Sequence, residues 1–435
     1  MKQFVFTIIL FLGMMAQKTI AQQQLHLLPR DISDSALLDE VQRQTFRYFW
    51  DFADPISGMA RERSNQADYG TEVSTIGGTG FGVMAIIVAT ERKWITRDTA
   101  AGRLLRLLRF LEKAERYHGM FPHWMYGATG KTRPFSTYDD GADIVESAYL
   151  FQGLFCVRQY FNQESPKEKE IRNIINRLWT AADWSWFTQG KEVLYWHWSP
   201  KYGWKMDFAI HGYNECLIAY VLAASSTFHP VSDQIYHSGW ATGDFFNNGK
   251  VFYGDTLSLG FDYGGPLFFS QYSYLGLDPR KLRDKYADYW KLNTTHTRIN
   301  YRHCTANPGK FKGYGSDCWG LTSGDAQSGY NAFSPSNDDG TITITAALSA
   351  FPYMPEASMA ALKHFYFDLG DKLWSQYGFV DGFNQSNNWY ANSHLAIDQG
   401  PIIVMIENYR TGLLWKLFMS CPEVKGGLNK LGFEY

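Results

Sequence analysis

Apolar residues recur along this chain at helical spacing and come in two alternating kinds of run. Over 35–52 they fall at Leu38, Val41, Thr45, Phe49 and Phe52, which predicts an amphipathic helix capped by Asp34 and stopped by Asp54-Pro55. The next run, 81–90, is apolar all round. A third, 96–116, returns to one apolar side at Leu104, Leu107, Leu108 and Leu111. The alternation continues with a helix from near Gly141 to about Phe161, an outer helix over 167–184 and another from Asn214 to Ser226. Later pairs are 266–275 with 280–301 and 341–351 with 355–377, followed by a last helix over 401–419. β-like runs such as Val251-Phe252-Tyr253 are isolated and do not alternate with helices as βαβ units would.

About eleven or twelve helices of alternating character, joined by loops that are long on one side only, predict an all-α architecture. Six helical hairpins closed into a toroid, an (α/α)6 barrel, satisfy the pattern, with near-apolar helices inside and amphipathic ones outside. An open solenoid would need a fixed period of roughly 34 to 47 residues, and none is found. Long loops on one side of a rigid scaffold are where binding residues are expected. The run Thr75-Ile76-Gly77-Gly78-Thr79-Gly80 is not a GxGxxG after a strand, so it reads as close helix packing or room for a ligand.

The amino terminus changes the picture of compartment. Lys2, an apolar run from Phe4 to Met15 and Thr19-Ile20-Ala21 form a signal-peptide pattern with cleavage expected after Ala21, leaving residues 22–435 as a single catalytic domain, periplasmic or secreted. No later stretch is long and apolar enough to span a membrane. The net charge of −2, with cations scattered, gives no nucleic-acid surface, and the chain is expected to act as a monomer. Of five cysteines, Cys156 and Cys216 sit in apolar helical patterns, while Cys304 and Cys318 flank a Gly-rich loop and could pair. Neither CxxC nor HExxH spacing occurs, so no metal or cofactor is expected. Asn337-Asp338-Asp339-Gly340 lacks the alternating oxygen ligands of a calcium loop and reads as a turn.

Candidate chemistry concentrates in Thr137-Tyr138-Asp139-Asp140-Gly141-Ala142-Asp143-Ile144-Val145-Glu146. A helix beginning near Gly141 would bring Asp139, Asp143 and Glu146 to one face and leave Asp140 to the side. Acids in a first turn also suit the helix dipole, but a cap needs one or two of them and not a row. A second acid, Glu215, follows His211-Gly212-Tyr213 at another helix start. Aromatic residues make up 17% of the chain, and rings beyond what a core needs often stack on the flat apolar faces of ligands such as sugars. Trp124, Tyr126, Trp196, Trp198, Trp204, Trp319, Tyr330, Trp389 and Tyr390 lie in predicted loops and are the candidate platforms; each could equally pack under its loop. His123, His211, Arg61 and Lys205 are candidate donors to sugar hydroxyls.

Tyr138-Asp139-Asp140-Gly141-Ala142-Asp143-Ile144-Val145-Glu146 together with His211-Gly212-Tyr213-Asn214-Glu215 resembles the bacterial glucoamylase-like proteins of glycoside hydrolase family 144. The likeness extends to Asp255-Thr256-Leu257-Ser258-Leu259, Gly264-Gly265-Pro266-Leu267-Phe268-Phe269 and Asp398-Gln399-Gly400-Pro401. The resemblance implies an (α/α)6 barrel that hydrolyses β-1,2-glucan to short sophoro-oligosaccharides with inversion. It also implies that Asp139, Asp143, Glu146 and Glu215 line the cleft, and it does not separate endo from exo action.

The residues permit that chemistry, because inversion needs a proton donor and a water-activating base about 6.5 to 9.5 Å apart. Glu215 is the expected acid, with Asp139 or Asp143 as base. Hydrolysis of another glucan, a lyase and a non-catalytic glycan-binding protein are the alternatives. A lyase would need a cationic site and a Tyr or His base; a binding protein would leave the acids idle.

Overall fold

A computed structural model describes residues 27–65 and 70–435. The expected signal peptide lies outside the described residues. Helices α1 (Asp34–Trp50), α3 (Arg97–Leu111) and α5 (Pro166–Thr180) bury one face each, whereas α2 (Ile76–Glu91), α4 (Ile144–Tyr160) and α6 (Leu217–Ser225) are buried almost all round. A helix apolar on every side must be surrounded, so α2, α4 and α6 form an inner layer and the amphipathic helices an outer one.

The inner layer closes into a ring. α2 packs against α4 on one side and against the last inner helix, Ala396–Thr411, on the other, α4 also packs on α6, and the 3₁₀ turn Ser273–Leu275 touches both α6 and Ala396–Thr411. Closure makes this the (α/α)6 barrel that the alternation predicted. The glycine run of α2 serves close packing: a Cβ on Gly80 would collide with the backbone of Tyr149 and Leu150, and one on Gly153 with the carbonyl of Gly80. No helix among the described residues is long and apolar enough to cross a membrane.

Several boundaries differ from the sequence reading. Ser33, not Asp34, caps α1, accepting the Ala36 N–H at 3.3 Å. The expected helix over 266–275 is instead two 3₁₀ turns, Leu267–Ser270 and Ser273–Leu275. Its carbonyls are captured from afar: Ser270 by the Tyr353 hydroxyl, Tyr272 by Gln152, Tyr274 by the Trp415 indole and Leu275 by Asn408. Groups so engaged are not free to bond four residues along the chain.

The expected helix over 280–301 is found at Tyr289–Ala306, with Asp288 accepting from Lys291 N–H. The run 355–377 breaks into Pro355–Lys363, a π-turn over His364–Asp368, a short turn and a small hairpin pairing Trp374–Ser375 with Gly378–Phe379. The last expected helix begins earlier, at Ala396, and breaks at Gly412, whose φ of 69° is left-handed. Val251–Phe252 pairs with Asp255–Thr256 in a hairpin. All five cysteines, Cys304 and Cys318 included, are buried free thiols.

Candidate active site

A cavity of about 900 Å³ opens at the end of the barrel where the inner helices α2 and α4 begin. Three loop segments converge there on the start of α4. The pair Ala142–Asp143 forms a two-residue ladder with His197–Trp198, placing Asp143 opposite His197. Asp143 N–H also donates to the Phe121 carbonyl at 2.8 Å, which draws in the segment carrying His123 and Trp124.

The helix starts at Ile144, three residues later than the sequence suggests, and this changes what the acids do. Asp143 is the N-cap: its Oδ1 accepts from Val145 N–H and Glu146 N–H, each at 2.9 Å, and from the Trp196 indole at 3.0 Å. Its Oδ2 lies 2.9 Å from His123 Nδ1. Asp139, in the preceding loop, spans both histidines, with Oδ2 3.4 Å from His123 Nδ1 and Oδ1 3.3 Å from His197 Nδ1. Both aspartates are buried, and neither reaches the cavity wall. The expectation of three acids on one helical face is therefore corrected: Glu146 alone of the three lines the cavity, because only it belongs to the helix.

The aspartates hold charge behind the wall. Burial opposes ionisation of Asp139, but hydrogen bonds and charge from His123 and His197 outweigh it and lower its pKa to about 2. Burial likewise opposes protonation of His123, yet Glu146, Asp139 and Asp143 together hold its pKa well above the ordinary value. His123, Asp139 and Asp143 also bring their ligand atoms close enough to hold a cation; the His123 imidazolium already supplies positive charge there.

Glu146 and Glu215 form the wall itself. Burial lifts each to a pKa of about 7. They differ in their partners. Glu146 Oε2 accepts from Gly77 N–H at 2.7 Å and from Thr75 Oγ1 at 3.3 Å, bonds that favour its anion. Glu215 sits in the turn just before α6, whose first residue is Leu217 and not the expected Asn214; its backbone carbonyl is pinned by the Ser273 hydroxyl at 2.5 Å.

Of the other expected binding residues, His123, Trp124, Trp196, Trp389, Tyr390 and Tyr330 lie on the cavity wall. Trp319 is fully buried, its indole donating to the Ala357 carbonyl, so it is a core residue. Trp198 packs on His118, and Trp204 against Phe187 and Tyr195. Arg61 bonds the Thr71 carbonyl and lies over the Phe52 ring; His211 bonds the Gly239 carbonyl; Tyr126 and Lys205 are exposed away from the cavity. In the Asn337–Gly340 turn, Asp338 is engaged by His303 and Tyr314.

The sequence reading missed a second acidic group on the wall. Arg63 is held 3.0 Å from Glu62 and 3.0 Å from Asp325, and all three line the cavity. Behind them Asp381 is lifted to about 7 by burial and by Asp325, and Asp398 is pushed well up by burial and by Asp381. Segments some 260 residues apart meet here, and no local spacing signals it.

The family model described as glycoamylase matches residues 207–422. Several solved structures are similar over nearly the whole chain. A glucoamylase-like protein from Bacteroides uniformis is 58% identical, with a TM-score of 0.91, covering 93% of this chain and 98% of its own. An endo-β-1,2-glucanase from Chitinophaga pinensis, solved with sophorotriose and glucose, is 51% identical, with a TM-score of 0.91, covering 93% and 99%. An exo-β-1,2-glucooligosaccharide sophorohydrolase from Parabacteroides distasonis is 46% identical over 92% of this chain; the chain spans 58% of the length of that curated relative.

Proposed function

The chain belongs to the glucoamylase-like glycoside hydrolases of family 144, and on that premise we propose that it cleaves β-1,2-glucan to short sophoro-oligosaccharides with inversion. The observation that carries the reading is a pair of cavity-wall carboxyls, Glu146 and Glu215, each lifted to about 7. Glycoside hydrolysis needs one carboxyl protonated and one ionised at the same pH. Glu215, whose carboxyl is met by its own backbone N–H and faces the charge of Asp143, is the general acid that protonates the leaving oxygen. Glu146, whose anion is favoured by Gly77 and Thr75, is the base that takes a proton from water. Asp139 and Asp143 are positioning residues: through His123 both set the charge facing Glu146, and Asp143, accepting from the Trp196 indole, orients one ring of the wall. The wall rings supply apolar faces for glucose units.

Incubation with β-1,2-, β-1,3- and α-1,4-glucans, with products separated by chromatography, tests the substrate; equal or better turnover of starch overturns it. Early proton NMR tests the stereochemistry, since a β-anomer released first from the β-linked substrate means retention. Export is part of the proposal, supported by the leader pattern ending at Ala21, and sequencing the amino terminus of the native protein checks it. A monomer is proposed too, to be checked by light scattering.

A further inference from the structure

Beside the main cavity lies a second of about 550 Å³, and an unbroken track of rings joins the two. Tyr272 and Phe268, on the main wall, have centroids 5.0 Å apart; Phe268 meets Phe269 at 4.8 Å, Phe269 meets Phe261 at 5.7 Å, and Phe261 stacks on Phe245 at 4.4 Å and 20°. Phe269, Phe261 and Phe245 line the second cavity. Phe245 is 54% exposed although large apolar rings are normally covered, and its neighbour Phe261 is only half-buried.

The track is rigidly held. Asn248 Nδ2 donates to the Gly260 carbonyl at 2.9 Å, Lys250 Nζ lies 2.9 Å from both oxygens of Asp262, and Gly260 N–H bonds the Phe246 carbonyl at 2.9 Å. Those bonds tie together the two ends of the loop that carry Phe245 and Phe261. The hairpin pairing Ser323–Ala326 with Gly329–Ala332 borders both cavities, with Tyr330 on the first and Ala332 on the second. Gly212, three residues before Glu215, packs on the backbone of Phe245.

We propose that this second cavity is an outer subsite, in which Phe245 and Phe261 stack on glucose units of a β-1,2-glucan chain that extends beyond the active-site cavity. The proposal rests on the reading of the main cavity as glucan-cleaving. Flat rings match the apolar faces of the sugar, and Asp244, Asn247, Ser334 and Ser336 around them can bond hydroxyls. Lys250, the cation in the groove, is already paired with Asp262, so the groove does not call for an anionic chain. The subsite makes turnover depend on chain length.

Kinetics of Phe245→Ala on long β-1,2-glucan and on a β-1,2-linked trisaccharide test this. KM for the long chain should rise about fivefold, the loss of one stacked ring, with kcat and all trisaccharide parameters unchanged. Phe245→Trp, which keeps a ring, should restore the long-chain KM. No change on the long chain, or the same change on both substrates, overturns the subsite. Calorimetric titration of long glucan into Glu215→Gln and into Glu215→Gln/Phe245→Ala separates the two readings. Weaker binding in the double variant, with an inactive parent enzyme, would retain the groove and reject cleavage; equal binding would reject the groove whatever the parent cleaves.

Discussion

Glu146 Oε2 lies 2.7 Å from the backbone nitrogen of Gly77, so the first turn of one inner helix holds the cavity-wall carboxyl of the next. The contact needs a glycine for reasons of space: a Cβ at position 77 would stand 2.8 Å from that oxygen and 2.9 Å from the Tyr149 ring. Asp143-x-x-Glu146 has the spacing of a capping box, yet Glu146 turns outward to another helix and leaves the cap to Asp143.

Gly77→Ala should therefore fold and lose activity. Alanine favours the helix, while its methyl displaces the carboxylate from the position in which it orders water. A fall in kcat of about 10² with an unchanged circular dichroism spectrum is expected. Glu146→Gln should show a comparable loss, and wild-type turnover in either variant would remove Glu146 from the chemistry.

Glu215→Gln separates proton donation from everything else. Loss of a general acid costs roughly 10² to 10⁴ in rate, less when the leaving group is itself acidic. The variant should be nearly inactive on glucan but relatively spared on a glycoside with an activated aryl leaving group, whereas Glu146→Gln should be impaired on both. Parallel assays of the two substrates decide between an acid and a merely structural carboxyl at position 215.

The pH profile of kcat/KM should be a narrow bell centred near 7, since Glu215 must be protonated and Glu146 ionised while each titrates at about 7. With the aryl substrate, Glu215→Gln should lose the alkaline limb and keep the acid one.

Stability should move in a defined direction over the same range. Between its unfolded value near 4.5 and its folded value of about 7, Glu146 is protonated in the native state and ionised in the unfolded one. The unfolded chain then binds fewer protons, and stability falls as pH rises, by at most roughly 3 kcal/mol for this group. Thermal melts should show wild type losing Tm from pH 5 to pH 8 more steeply than Glu146→Gln; parallel curves would contradict the buried carboxyl.

Asp143→Asn and Asp143→Ala should part company. Asparagine keeps an oxygen for the Val145, Glu146 and Trp196 donors but turns an uncharged NH2 donor, in place of the carboxylate acceptor, toward His123, so the fold should hold while activity drops on both substrates. Alanine removes the cap as well, at a cost of about 0.5 to 2 kcal/mol, and should lower the denaturation midpoint measurably. Equal midpoints would mean that the cap contributes nothing.

The inner and outer helices were legible because burial on all sides or on one leaves its mark at every turn: α2 and α4 carry apolar residues on every side, and α1 and α3 along one stripe. So was the location of the acids, since a helix start crowded with carboxylates is a local feature. Which acid faces the cavity was not. Strand pairing of Asp143 with His197 and the cap geometry turn Asp139 and Asp143 toward two histidines from other loops, and only the helical Glu146 toward the cavity. The same limit hid the Glu62, Arg63 and Asp325 group, and it sorted Trp389 onto the wall but Trp319 into the core. Hydrophobic periodicity records what each residue's own helix must bury. The direction of a loop side chain, and even the helicity of 267–275 with its carbonyls taken by Gln152, Tyr353, Asn408 and Trp415, is decided by partners that only the closed ring brings near.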